Sequence, residues 1–359
     1  MTLKHALWVA AGLLATAPSL GRAPEGEPPR GTIVDRSFTS TVLRENRVGL
    51  NPERAIKVYL PPGYPKSGRR YPVVYFLHNA WWGPRQTFED GRVQRVLERG
   101  FATGAVGEFI FIVADYTGPT TGSLYENSPV SGRWLDYTVD EIVPLIDREY
   151  RTLARRESRA VVGDFFGGRG ALKLAMTKAD LFSVAYALHP VATGTGDLPW
   201  TSLEIDWPRM HAATSFAELG GGGRTQIFWA IQQAFAPNPA KPPCYCDFFM
   251  EMTQGAARYL PERAHAMEAA FLLDETLPES AANLRSMRGL AFDWGRFDTT
   301  QAHVTSNRRF SRLLDDLGVD HEAEEYRGGP FDRTWTEDGR VATRVLPFLQ
   351  KHLLGETSR

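Results

Sequence analysis

Val161-Val162-Gly163-Asp164-Phe165-Phe166-Gly167-Gly168-Arg169-Gly170-Ala171-Leu172-Lys173 is the stretch that decides the fold. The residues from Arg159 to Val162 read as a strand, the glycines as a tight turn, and Gly170 to Lys178 as a helix. In a G-x-S-x-G elbow the central residue sits on a strained strand-to-helix turn, its side chain standing above the sheet. The flanking glycines let the strand and helix backbones approach closely. Gly163 and Gly167 frame such a turn here, and Phe165 lies between them. A phenyl ring has no hydroxyl, thiol or carboxylate, so the attacking atom of the motif is missing.

Outward from the elbow, strand and helix patterns alternate. On the N-terminal side, Gly31 to Arg47 reads as an early antiparallel strand or hairpin and Ala55 to Leu60 as a strand closed by Pro61-Pro62-Gly63-Tyr64. Tyr71 to His78 and Glu108 to Asp115 are nearly continuous apolar runs, the pattern of strands buried on both faces. A helix is expected from Tyr137 to Tyr150. Beyond the elbow come strands at Phe182 to Leu188, Leu290 to Asp293 and His321 to Tyr326, and helices at Asn307 to Leu317 and Val341 to Leu354. This alternation predicts an α/β fold: a mostly parallel central sheet with helices on both faces. Residues 191–289 break the rhythm and read as a lid-like insertion over the carboxyl edge of the strands. Within it, Gly220-Gly221-Gly222-Gly223 lacks the Lys-Ser/Thr of a phosphate loop and reads as a flexible loop.

Bulk properties narrow the function classes. The 359 residues carry a formal net charge of −1, which leaves no electrostatic case for nucleic acid or an anionic membrane surface. Residues 1–23 read as an export signal, with Lys4 and His5 before an apolar core at Ala6 to Leu14 and small residues at Ala15 and Ala17. That core falls short of the roughly 20 residues needed to cross a bilayer, so no stable membrane span is expected. Residues 24–35 read as a Pro/Gly/Glu-rich leader, 36–359 as one domain, and the mature chain as secreted or periplasmic. Cys244 and Cys246 are separated by one residue, where a bridge would be strained, and no further ligand lies near them for a metal. No cofactor or metal site is expected.

Several stretches together resemble the esterase D and feruloyl esterase-like branch of the α/β-hydrolases, to which secreted mycolyltransferases also belong. They are Val58-Tyr59-Leu60-Pro61-Pro62-Gly63-Tyr64 with Tyr71 to Tyr75, Gly122 to Pro129 with Trp134 and Asp136, and Gly167 to Ala175. The resemblance covers about Val58 to Leu354 and implies an α/β-hydrolase fold with a Ser–His–acid triad. By that resemblance the acid position is Asp298, the nucleophile position is Phe165, and the histidine position, in Tyr326-Arg327-Gly328-Gly329-Pro330-Phe331, is Pro330. His78-Asn79-Ala80 stands where the family has His-Gly in its first oxyanion region.

A serine hydrolase needs a nucleophile and a base to take its proton, and loss of either costs orders of magnitude in rate. The expectation is therefore an esterase-family chain impaired as a serine esterase, with Asp298 left without an imidazole and reduced to capping the next helix. Such a chain would bind an ester, glycan or phenolic ligand in a cleft near His78, Asn79, Phe166, Trp81, Tyr125, Trp134 and His189, with Trp82 and Tyr116 nearby. The alternative is an ester hydrolase working through relocated residues: His189, His303 or Asp164, the last one residue early for an elbow nucleophile.

Overall fold

The computed structural model describes residues 28–119, 122–194, 204–219 and 223–356. The expected export signal and residues 24–27 of the leader lie outside the described residues, as do Gly220, Gly221 and Gly222 of the tetraglycine. The leader read over 24–35 is corrected at its end: Thr32 to Asp35 already belong to the first strand, paired with the strand Glu53–Leu60, so the folded domain starts before residue 36. The central sheet has eight strands: β1 Thr32–Thr39, β2 Glu53–Leu60, β3 Val73–Leu77, β4 Ile110–Ala114, β5 Arg159–Asp164, β6 Val184–Leu188, β7 Gly289–Gly295 and β8 Glu322–Tyr326. Their order is β1-β2-β4-β3-β5-β6-β7-β8. Every pair from β4 to β8 is parallel, and β2 alone runs against its neighbours.

The strand patterns explain the layering. All five residues of β3, β4 and β6, and all six of β5, are buried, as their continuous apolar runs require when helices cover both faces. One face packs under α3 Val143–Glu149, α4 Phe166–Thr177, α7 Leu277–Arg285 and α8 Gln301–Asp316, with Tyr75, Ile112, Leu172, Phe292 and Phe310 in its core. The other packs under α1 Pro84–Glu89, α2 Arg92–Thr103 and α9 Leu346–His352, with Phe76, Phe111, Val162, Tyr186 and Phe348. Between β6 and β7 the chain carries a two-stranded ribbon, Met250–Thr253 with Ala256–Tyr259, and helices α5 Arg224–Phe235 and α6 Pro261–Phe271. This segment has its own apolar cluster around Phe228, Trp229, Phe249 and Met267, and that cluster includes Phe165 and Phe166 of the elbow.

Several element boundaries differ from the sequence reading. The Gly31 to Arg47 region forms one strand, β1, followed by a turn, because Glu141 ties down Ser40, Thr41 and Val42. The Tyr137 to Tyr150 helix starts earlier, at Trp134, and winds as a π-helix over Tyr137–Ile142. The helix assigned to Asn307 to Leu317 begins at Gln301, which places His303 in its first turn.

The elbow itself is tighter than a strand-to-helix pattern alone conveys, and α4 starts at Phe166 rather than Gly170. A Cβ on Gly163 would lie 2.1 Å from the Gly167 carbonyl oxygen, and one on Gly167 would lie 1.9 Å from that of Leu77. Both glycines are there because backbone occupies the space a side chain would need. Gly167→Ala is therefore expected to cost about 1–3 kcal/mol through forced backbone movement, read as a lower denaturation midpoint. A midpoint equal to the parent's would show that the turn is looser than described.

Candidate functional site

Phe165 occupies the apex of the elbow with φ 55° and ψ −110°, a strained conformation for any residue with a side chain. Its amide donates to the Leu188 carbonyl (2.9 Å), and its own carbonyl accepts from the Arg169 amide (3.0 Å). The backbone thus holds the geometry of a nucleophile elbow while presenting a ring. Around that ring lie His303 at 5.3 Å, Phe331 at 5.2 Å, Phe166 at 5.4 Å, Trp81 at 5.6 Å and His189 at 6.1 Å between centroids. Phe165 is 9% exposed, whereas Trp81 (43%) and Phe331 (37%) are open to solvent and cover it.

Asn79 explains the position of the tryptophans. Its Oδ1 accepts from the Trp81 and Trp82 amides (2.9 and 3.0 Å), a local turn that a glycine there could not make. His78 is internal: Nδ1 lies 2.7 Å from the Asn79 carbonyl, and Nε2 accepts from the Tyr116 amide at 2.9 Å. Burial pulls its pKa down to about 4, so the ring is neutral.

Three of the residues singled out from the sequence converge behind Phe165. Asp298 Oδ2 lies 2.8 Å from His189 Nε2 and 2.7 Å from His303 Nδ1, and Oδ1 accepts from the Thr300 amide at 2.8 Å. The expectation that Asp298 lacks an imidazole is therefore corrected: it holds two, because α8 begins early enough to bring His303 back onto it. Burial alone would raise the Asp298 pKa, but hydrogen bonds from both histidines outweigh it and hold the carboxylate well below its usual range. The two rings are not equivalent. Gly295 donates its amide to His189 Nδ1 (2.8 Å), so the proton of this neutral ring sits on Nε2 and faces Asp298. Both nitrogens of His189 are thereby committed, and burial keeps its pKa low. His303 gives its Nδ1 proton to Asp298, which leaves Nε2 as a lone pair in the form of a general base.

The donor atoms of His189, Asp298 and His303 lie within 4.8 Å of one another, close enough for a divalent cation. Their protons argue otherwise. For His189 Nε2 to offer a lone pair to a metal, Nδ1 would have to carry the proton and would then oppose the Gly295 amide.

Other assigned positions separate from this group. Pro330 sits in a turn where Gly329 donates its amide to Asp332 (2.6 Å) and the Tyr326 hydroxyl donates to the Gly329 carbonyl (2.7 Å). It brings no titratable group, and the next ring, Phe331, closes on Phe165. Trp134 does not line the cleft: it is 1% exposed, packed against Tyr116 and Tyr137, with its indole N–H on the Ser131 carbonyl (2.9 Å). Tyr125 and Tyr116 are buried likewise, and the Tyr125 hydroxyl donates to the His78 carbonyl. These aromatics can enter the core because their polar atoms find partners there, the Tyr116 hydroxyl meeting that of Thr138 at 2.9 Å. Phe331 is the site residue that sequence reasoning missed; its only signal was adjacency to Pro330.

Asp164, next to the apex, lies in the wall of a cavity that does not include the Asp298 group. Its Oδ2 is 3.4 Å from Asn79 Nδ2, and its Oδ1 has no hydrogen-bond partner among the described residues. Burial pushes its pKa up to about 7. A carboxyl raised above its unfolded value contributes full stability below pH 4 and loses it as pH rises through 7. Asp164→Asn is therefore expected to gain stability over the parent by about 2–3 kcal/mol more at pH 8 than at pH 5, measured by urea unfolding. An equal difference at both pH values would mean that Asp164 is solvated.

Comparison with known proteins agrees with this architecture. The sequence profile of the esterase family ("Putative esterase") matches residues 48–239. Esterase Rv1288 of Mycobacterium tuberculosis H37Rv is 28% identical over 313 residues, covering 83% of this chain and 57% of that protein. The chain thus spans little more than half the length of that curated relative. Among solved structures, a ferulic acid esterase superposes with a TM-score of 0.62 at 19% identity, over 90% of this chain and 99% of that one. A ferulic acid esterase from Anaeromyces mucronatus, solved in complex with ferulic acid, superposes with a TM-score of 0.53 at 16% identity, over 94% and 96%. Glycine-framed elbow, parallel sheet and matching profile agree: the chain belongs to the esterase family and has an α/β-hydrolase fold.

Proposed function

We propose that this esterase-family chain binds a phenolic ligand without hydrolysing its ester. The supporting observation is the phenylalanine at the strained apex of the elbow, where a serine mechanism needs its nucleophile. Trp81, Trp82 and Phe331 form an exposed aromatic face over that apex, with ring centroids of 6.4 Å between Phe331 and each tryptophan. Such a face suits stacking on a planar ring. The ferulic acid bound by the Anaeromyces relative makes a hydroxycinnamate the first ligand to try. The test is titration with ferulate, read by quenching of tryptophan fluorescence, beside an assay with methyl ferulate. Saturable quenching without release of ferulate supports the reading; release that tracks the purified chain contradicts it.

One observation favours a second reading, a hydrolase in which water replaces the nucleophile. The Asp298–His303 pair leaves an imidazole lone pair beside Phe165, the form of base that activates water. Ester turnover abolished by His303→Ala would establish it. Placement of the mature chain outside the cytoplasm is part of the same proposal and rests on the N-terminal residue pattern. Fractionation of expressing cells checks it: an intact N-terminus in the cytosolic fraction would contradict it.

A further inference from the structure

Beside the elbow lies a cavity of about 130 Å³ whose wall includes Asp164, His78, Phe76, Trp82, Phe331 and Trp335. Its size is close to that of an apolar cavity of about 150 Å³ known to accept benzene, so one six-membered ring fits. Asp164 is 5% exposed, and its Oδ1 meets no donor among the described residues. A buried carboxylate oxygen without a donor is costly, and at a cavity wall a bound donor would relieve that cost.

We propose that this cavity binds a small primary amine carrying one aromatic ring, its ammonium group on Asp164 Oδ1 and its ring among Phe76, Trp82, Phe331 and Trp335. Charge decides the class of ligand. The cations at the cavity are already matched: Arg92 pairs with Asp90 (2.8 Å) and Arg333 with Asp338. Asp164 has no such partner, so the uncompensated charge in the wall is negative. An ammonium donates to the open Oδ1, while the aromatic rings attract a cation through their faces. A benzoate-like anion would face Asp164 with like charge, and a neutral alcohol would leave its charge unpaired.

The proposal goes beyond the reading of the elbow: it shares Trp82 and Phe331 with the aromatic face but does not rest on the missing nucleophile, since a chain that hydrolysed esters would hold the same cavity. Binding is coupled to protons through Asp164, because the amine requires the carboxylate. The groups around Asp164 are His78 from the end of β3, Tyr125 from the loop beneath α4, the Asp90–Arg92 pair at the start of α2, and Arg333 after β8. Burial lowers His78 to about 4 and raises Tyr125, so neither changes charge between pH 6 and 8. Asp164, pushed up to about 7, does.

Calorimetric titration with benzylamine, benzyl alcohol and benzoate at pH 6 and pH 8 tests this. The expected result is saturable benzylamine binding at pH 8, at least tenfold tighter than either analogue and several-fold weaker at pH 6. Asp164→Asn should bring benzylamine down to the level of benzyl alcohol and remove the pH dependence. Trp82→Ala, at a half-exposed site, should weaken benzylamine while leaving the fold intact. Equal binding of benzylamine and benzyl alcohol, an unaltered affinity in Asp164→Asn, or no binding at pH 8 by the folded chain would each overturn the proposal.

Discussion

Phe165→Ser is expected to raise hydrolysis of 4-nitrophenyl acetate about 100-fold over the parent, at the low end of what a positioned general base contributes. Two features that a serine would need are in place. The backbone at 165 already has the elbow's positive φ, enforced by Gly163 and Gly167. Asp298 holds His303 by Nδ1, so the lone pair of the ring is on Nε2, and that ring lies edge-on to Phe165 at 5.3 Å. Removing the phenyl ring also opens the space that Phe165 fills beneath Trp81 and Phe331. The gain should vanish in Phe165→Ser/His303→Ala and persist in Phe165→Ser/Pro330→Ala, since Pro330 carries no role in proton transfer. A Phe165→Ser chain that folds yet hydrolyses no faster than the parent would show that His303 stands where it cannot serve a residue at the apex.

The largest expected loss of stability comes from Arg169, one turn into the elbow helix. Its guanidinium is fully buried and donates to the Phe271 carbonyl (3.2 and 3.0 Å), the Leu124 carbonyl (3.2 Å) and Glu126 Oε2 (3.2 Å). It also lies over the rings of Phe235 and Phe271, at 4.7 and 5.7 Å from their centroids. One side chain therefore joins the elbow helix to both α5 and α6 of the insertion and to the Leu124–Glu126 loop. Arg169→Met fills similar volume but strips two buried carbonyls of a donor and leaves Glu126, among the described residues, with Lys173 at 3.4 Å as its one cation. Removing one partner of a buried pair costs about 3–5 kcal/mol, and that loss should appear in urea unfolding. A loss below about 1 kcal/mol would mean that the insertion is held by its apolar cluster alone.

The sheet was readable because strands buried on both faces leave continuous apolar runs, as in Tyr71 to His78 and Glu108 to Asp115. The elbow was readable because its glycines answer to a backbone contact rather than to a chance of composition. The grouping of His189, Asp298 and His303 was less accessible. It needs the end of β6, the loop after β7 and the first turn of α8 at one point, and the long-range meeting of three segments leaves no local pattern in the sequence. The aromatic cleft was overdrawn for a different reason. Trp134 and Tyr125 carry polar atoms that could have faced solvent, but each finds a backbone carbonyl inside, so both could be buried without loss. Trp81 and Trp82 stay outside because Asn79 turns the chain under them.

The elbow of this esterase-family chain is proposed to keep its shape without hydrolytic chemistry. The most direct test is the initial rate of 4-nitrophenyl acetate hydrolysis by the purified parent beside His303→Ala and Phe165→Ser, at equal concentration and pH 8. The parent and His303→Ala are both expected to match the rate in buffer, and Phe165→Ser alone to exceed it. A parent rate well above buffer that falls with His303→Ala would contradict the proposal and make the chain an enzyme.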